Sequence, residues 1–314
     1  MAAGSSARDT NGPARGASGL REVQFQAVTS MQEGFIEVPG GRVWYRSVGE
    51  GGTPLLCLHG GPGFTHYYLE PLEALADRRQ VIFYDQLGCG RSDRPADGAL
   101  WTVDRFVEEL VQVRAALGLE RMHLFGSSWG GMLAMQYVLD RRPALESLIL
   151  CGSPASMIRW VKDCGELLAA QPDEVRRVIR EHEEAGFTAC PEYQSAILGF
   201  YREHVCRMSP WPAGLERSFA EAGYEVYTSM NGPSEFTVTG SLKTWDIMDR
   251  LGEIDVPTLL VGGRYDECRP GHMEEMHRRI AGSRLATIEN ASHLCFAEQP
   301  QEFNDLVNSF LDGR

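Results

Sequence analysis

Six short runs of mainly apolar residues recur along the chain, at Leu55–Leu58, Val81–Tyr84, His123–Phe125, Ser147–Leu150, Thr258–Val261 and Leu285–Ile288. None carries the apolar/polar alternation of a strand with one wet face. Runs of this kind suit strands covered on both faces, the condition of a parallel sheet. Amphipathic stretches separate them. In Thr102–Leu117 the threonine can cap, Val103, Phe106, Val107, Leu110 and Leu117 share a face, and Gly118 ends the helix. In Gln301–Leu311, entered through Pro300, Phe303, Leu306, Val307 and Phe310 turn to the core. Strand and helix in alternation make an α/β fold. Ahead of them, Gly34–Val38 and Arg42–Val48 are β-rich and split by Pro39-Gly40-Gly41, which reads as a hairpin.

The alternation stops between about Ser156 and Thr239, where helical patterns and Pro/Trp punctuation (Pro172, Pro191, Pro210-Trp211-Pro212) replace strand signals. Strand pattern resumes at Val256, so the segment reads as a helical cap inserted into the sheet domain. The expected division is a core over 31–155 and 241–314, a cap over 156–240, and a disordered leader over 1–30. The leader is rich in Gly, Ala and Ser and lacks the apolar stretch of a signal peptide.

Composition narrows the function. No apolar run approaches the roughly 20 residues needed to span a bilayer, so no membrane role is expected. The net charge of −13 argues against a phosphate-backbone partner, and no nucleic acid is expected. Eight cysteines are scattered without a C-x-x-C pair, which suits reduced thiols in a cytoplasm and offers no metal-ligand spacing. The reading is therefore an enzyme without cofactor or metal; oligomeric state is left open.

The chemistry centres on Gly126-Ser127-Ser128-Trp129-Gly130-Gly131, which follows the run His123–Phe125 and precedes the helical stretch Met132–Leu139. Between a strand and a helix, G-x-S-x-G forces the serine into a sharp turn with its hydroxyl at the carboxyl edge of the sheet, which makes Ser128 the candidate nucleophile. A serine hydroxyl needs a base oriented by a carboxylate, in the chain order Ser, acid, His. Five histidines follow Ser128. His182 and His204 fall in the cap, and His272 and His277 fall in a charged helical stretch (HMEEMHRR) where a solvated ring is expected. His293, between the last strand and the final helix, is the candidate base. Asp266, just past Thr258–Val261, is the candidate orienting acid, with Glu267 the competing choice. Oxyanion donors are expected from Trp129, the residue after the nucleophile, and from the turn His59-Gly60-Gly61-Pro62-Gly63, through Gly61 or Gly60. His59 is read as a support for that turn, since the base must follow the serine.

With these motifs on view, the sequence resembles the α/β-hydrolase superfamily and, within it, the prolyl aminopeptidases (proline iminopeptidases), nearest the tricorn-associated aminopeptidase branch. The resemblance covers about residues 30–312. It rests on the turn at 59–63, on Tyr84–Ser92 (YDQLGCGRS), on Gly126–Gly131, on Met230–Phe236 (MNGPSEF), on Gly263–Glu267 (GRYDE) and on Ser292-His293. It implies a mostly parallel eight-stranded sheet with helices on both faces and an inserted helical cap. It also implies removal of an N-terminal residue, often proline, from a peptide, amide or arylamide. By motif match it implies that Glu235 and Glu267, with Tyr227, hold the substrate's free amine. Two positions depart from the proline-specific pattern: Ser127 stands where many members have glycine, and Leu87 where arginine is common.

Other activities remain on the same scaffold. A carboxylesterase, thioesterase or acyltransferase would share the triad and differ in not requiring a free α-amino group. A ligand receptor would keep the pocket and dispense with turnover. Dehalogenase and epoxide hydrolase chemistry on this fold resembles instead an aspartate-nucleophile pattern, and this turn carries Ser128.

Overall fold

The computed structural model describes residues 31–313. The leader read over 1–30 lies outside the described residues. Strands β1 (Met31–Val38) and β2 (Gly41–Val48) form the expected hairpin, and β3 (Leu55–Leu58), β4 (Val81–Tyr84), β5 (His123–Ser127), β6 (Ser147–Cys151), β7 (Thr258–Gly263) and β8 (Arg284–Ile288) take up the six apolar runs. They make one eight-stranded sheet in the order β1-β2-β4-β3-β5-β6-β7-β8. The β1–β2 and β2–β4 pairings are antiparallel and all the others are parallel.

The absence of alternation in the six runs has a direct structural cause. Successive strand residues point to opposite faces, and each face meets its own core. Leu56, Leu58, Leu124, Leu148 and Leu260 join a cluster with Phe106 and Leu110 of α1 (Val103–Ala116) and Leu133 of α2 (Trp129–Arg141). Leu55, Cys57, Phe125, Ile149 and Leu259 join a second cluster on the other face, with Leu69 and Leu72 of the 3-10 segment His66–Asp77 and the last helix. Thr102 caps α1 as expected, its hydroxyl accepting the Arg105 N–H at 3.3 Å.

Between β6 and β7 the chain inserts α3 (Met157–Ala169), α4 (Asp173–Ala185), α5 (Pro191–His204), α6 (Ala213–Ala220) and α7 (Tyr224–Met230). The insertion leaves and rejoins the sheet domain at one place. Ser156 pairs with Asp246 in an isolated bridge, the Ser156 hydroxyl donates to Asp246 Oδ2 at 2.6 Å, and the Met157 N–H donates to the Trp245 carbonyl at 2.9 Å. After β7 come α8 (Pro270–Arg279), then β8, α9 (Cys295–Glu298) and α10 (Pro300–Leu311). No helix among the described residues is long and apolar enough to cross a membrane.

One histidine departs from expectation. His272, read as solvated, is fully buried on the face of α8 that carries Met273 and Met276, and its Nε2 accepts the Ala155 N–H at 3.3 Å. The charged residues of HMEEMHRR occupy the opposite face, so charge in the run did not mean exposure at every position. Burial pushes the His272 pKa down to about 4.

The turn between β5 and α2 depends on close backbone approach. A Cβ on Gly130 would lie 2.2 Å from the Leu58 carbonyl oxygen, and one on Gly126 would lie 2.4 Å from the Gly130 carbonyl oxygen. Backbone atoms cannot yield as a side-chain tip can. Gly130→Ala is therefore expected to destabilise the fold by about 3 kcal/mol or more, at the upper end of core overpacking, which a thermal melt against wild type measures.

Candidate active site

Every residue in the expected triad emerges from the carboxyl edge of the sheet. Ser128 follows β5 directly and holds φ 56° and ψ −125°, a conformation unusual for a residue with a side chain, kept in place by its N–H donating to the Cys151 carbonyl at 2.9 Å. Asp266 follows β7 and His293 follows β8, both nearly buried. The His293 loop is also tied to the end of α5. Its N–H donates to the His204 carbonyl at 3.1 Å, and the next residue, Leu294, donates to Val205 at 3.0 Å.

Of the two candidate acids, Asp266 is the one bonded to the ring: His293 Nδ1 lies 2.7 Å from Asp266 Oδ1, which also accepts the Cys268 N–H at 2.7 Å. A carboxylate beside Nδ1 fixes the proton there and leaves Nε2 free to accept one. Burial alone would lower the pKa of His293, but the charge and hydrogen bond of Asp266 outweigh it and hold it above the ordinary histidine value. Glu267 sits on the other side of the ring, its Oε1 3.9 Å from Nε2.

Ser128 and His293 line one cavity with Gly60, Gly61, Tyr68, Glu235 and Glu267, closed by the apolar side chains of Phe64, Tyr201, Leu215 and Phe219. A smaller adjoining space shares Gly61, Ser128 and Glu235 and is walled by Trp129, Met132, Met157, Trp160 and Leu242. Glu235 reaches it from the cap side, its carbonyl accepting the Trp160 indole N–H at 2.7 Å. Tyr227 stands behind the acid and donates its hydroxyl to Glu235 Oε1 at 2.7 Å, so it orients the carboxylate and is not itself a lining residue.

Burial raises the pKa of Glu235, opposed by the Tyr227 hydrogen bond, and it raises that of Glu267 well above the ordinary carboxylate range, helped by the charges of Glu235 and Asp266. Glu267 Oε2 is buried with no hydrogen-bond partner among the described residues. A carboxyl whose pKa is higher folded than unfolded contributes stability below the unfolded value and loses it as pH rises toward the folded value. Glu267→Gln is thus expected to raise Tm at neutral pH and to leave it nearly unchanged near pH 4, where the wild-type acid is protonated; melts at the two pH values measure this.

The two glycines of the expected oxyanion turn part company. The Gly60 N–H donates to the Tyr68 hydroxyl at 2.6 Å. Gly61, held at φ 114°, has no partner for its N–H among the described residues and lines both parts of the cavity. His59 is fully buried, and burial pushes its pKa down to about 4, so it is a neutral ring inside the turn. Ser127 and Leu87, the two departures from the family pattern, are both fully buried and neither lines the cavity. The aromatic residues of the inserted helices separate clearly. Tyr193 and Phe200 are core, Phe187 is exposed, Trp211 stacks on Phe219, and Tyr201 reaches the cavity. Phe64, Tyr68 and Trp160 had no signal in the sequence, because they meet Ser128 only through the packing of distant segments.

Comparison with known proteins bears on this arrangement. Residues 53–300 match the α/β-hydrolase fold family, a stretch that encloses Ser128, Asp266, His293 and the inserted helices. The proline iminopeptidase of Heyndrickxia coagulans is 42% identical over 286 residues, which cover 90% of this chain and 99% of that one. The chain belongs to the proline iminopeptidase family of α/β hydrolases. Among solved structures, a proline iminopeptidase from Mycobacterium smegmatis superimposes with a TM-score of 0.82 at 39% identity, covering 90% of this chain and 98% of that one. VinJ superimposes with a TM-score of 0.88 at 38% identity, covering 91% and 99%. The likeness to the two proline iminopeptidases and to VinJ runs through the inserted helices as well as the sheet, since nearly the whole of each is covered.

Proposed function

We propose that the protein is a serine aminopeptidase that releases the N-terminal residue, proline foremost, from small peptides, amides or arylamides. The observation that carries this reading is the pair of carboxylates on the wall of the cavity that holds Ser128 and His293, Glu267 buried and Glu235 half-buried. Two acids facing one cavity, one of them buried, with no Lys or Arg among the described residues lining it, are costly unless a ligand brings the charge. A substrate ammonium supplies it, and its donors satisfy both carboxylates.

With the amine held there, the first carbonyl of the substrate lies at Ser128. The serine hydroxyl gives its proton to His293 Nε2 as its oxygen attacks, and Asp266 stabilises the imidazolium that forms. The N–H groups of Gly61 and Trp129 receive the developing oxyanion. His293 then returns the proton to the leaving amine, and water, deprotonated by the same ring, releases the acyl group. Residues 156–240 act as the cap that closes the site from water, and the small space beside Trp160 takes the side chain of the released residue. The eight unpaired thiols, seven of them buried, support a reducing, cytoplasmic setting.

Hydrolysis of a panel of aminoacyl arylamides tests the proposal. The prolyl member is expected to be turned over with the highest specificity constant. Failure of every free-amine member, with turnover of simple acyl esters, would transfer the protein to the esterase class.

A further inference from the structure

Beneath the cavity lies a buried polar cluster that the reaction above does not use. Asp85 accepts the N–H groups of His66 and Arg91 and the His66 ring at 2.8, 3.0 and 2.8 Å. The next residue, Gln86, is fully buried, and three of its hydrogen bonds reach His59 and Trp129. Its main-chain N–H donates to His59 Nε2 at 2.9 Å, its side-chain Nε2 donates to the His59 carbonyl at 2.9 Å, and its Oε1 accepts the Trp129 indole N–H at 2.9 Å. An indole N–H only donates and a carbonyl only accepts, so the amide can sit one way round only. The neutral His59 ring, accepting at Nε2, carries its proton on Nδ1 and gives it to the Gly60 carbonyl at 3.0 Å. The turn that bears Gly61 and the residue that opens α2 are thereby joined through a single side chain.

A network of this kind is costly to bury and rigid once every member is satisfied. Oxyanion stabilisation depends on donors already in place when charge develops, and it falls steeply when one is displaced. We propose that the Gln86 side chain is a positioning residue that sets the spacing between the Gly61 and Trp129 N–H donors, and so governs stabilisation of the tetrahedral intermediate. The inference rests on the aminopeptidase reading for the identity of those donors. It assigns Gln86 no contact with substrate.

The test uses Gln86→Met, which keeps volume and removes both side-chain bonds, Gln86→Glu, which opposes a carboxylate to the His59 carbonyl, and Trp129→Phe, which breaks the same link from its far end. Each is expected to lower kcat on a prolyl arylamide roughly ten- to a hundredfold, less than the complete loss of an oxyanion donor, with KM of the two Gln86 variants changed by less than about threefold. Two inhibitors separate positioning from general damage. The boronic acid analogue of proline bonds to the Ser128 oxygen and places a boron-bound oxygen where the oxyanion forms; its inhibition constant should rise by the factor that kcat/KM falls. Pyrrolidine carries the amine alone, and its inhibition constant should stay within about twofold of wild type in the two Gln86 variants, since Gln86 does not line the cavity. Wild-type kcat/KM in both Gln86→Met and Trp129→Phe would overturn the inference, as would equal weakening of the two inhibitors. Ser128→Ala, assayed in parallel, keeps the two readings apart: its retained activity would count against the aminopeptidase mechanism, whereas an inert Ser128→Ala beside fully active Gln86 variants would count against this inference alone.

Discussion

Ser128→Ala is expected to lower kcat on a prolyl arylamide by about four orders of magnitude or more, with Tm within a few degrees of wild type. Triad members act as a unit, so loss of the nucleophile removes nearly the whole covalent pathway and leaves only what binding and oxyanion donors provide. Stability is spared for local reasons. Ser128 is part-exposed at the cavity, and removing its hydroxyl opens no void in either core. The backbone there keeps its positive φ, which alanine tolerates no worse than serine. Steady-state turnover and a melt on the same preparation decide it. Activity above a few per cent, in protein free of wild type, would remove Ser128 from its role.

N-acetylation of the substrate is expected to be nearly as damaging. An acetylated proline has lost the ammonium charge and its donors, and it leaves Glu235 and the buried Glu267 without a cation. Hydrogen bonds to charged groups contribute about 1.5–3 kcal/mol each, so two of them amount to roughly a hundredfold to ten-thousandfold in kcat/KM. Glu235→Gln and Glu267→Gln should each cost the free-amine substrate roughly ten- to a hundredfold and leave the acetylated one little changed, narrowing the ratio between them. The pH profile carries the same signature. Binding of an ammonium needs ionised acids and catalysis needs a neutral His293, and all three pKa values are raised. Activity should therefore rise with pH on a limb steeper than one proton, and Glu267→Gln should flatten it. Equal handling of free and acetylated substrates by wild type would refute the amine-recognition role.

Much of the candidate site is legible in the sequence because its chemistry is written at strand ends. The Ser128 turn needs Gly126 and Gly130 where no side chain fits, and the chain order Ser, Asp, His follows from the succession of strands. What could not be read was distance across the fold. Asp266 and Glu267 are adjacent in sequence with the same charge; they are separated by which side of the His293 ring each one faces. Gly60 and Gly61 are equivalent as letters, and only Tyr68, folded back over the turn, engages one of them. His272 looked solvated because its neighbours are charged, yet helical periodicity turned it inward with Met273 and Met276.

The sequence by itself determined the layered α/β architecture, the approximate positions of the strands and the candidate nucleophile and base, since these depend on local periodicity and on turns that admit few residue types. Only the tertiary structure decided which acid bonds His293 Nδ1, which glycine N–H is left without a partner among the described residues, how Gln86 links the turn to α2, and which side chains of the inserted helices close over Ser128. Each of those is a contact between segments tens of residues apart, with a partner set by the packing of cap against sheet, and no pattern along the chain encodes a distance of that kind.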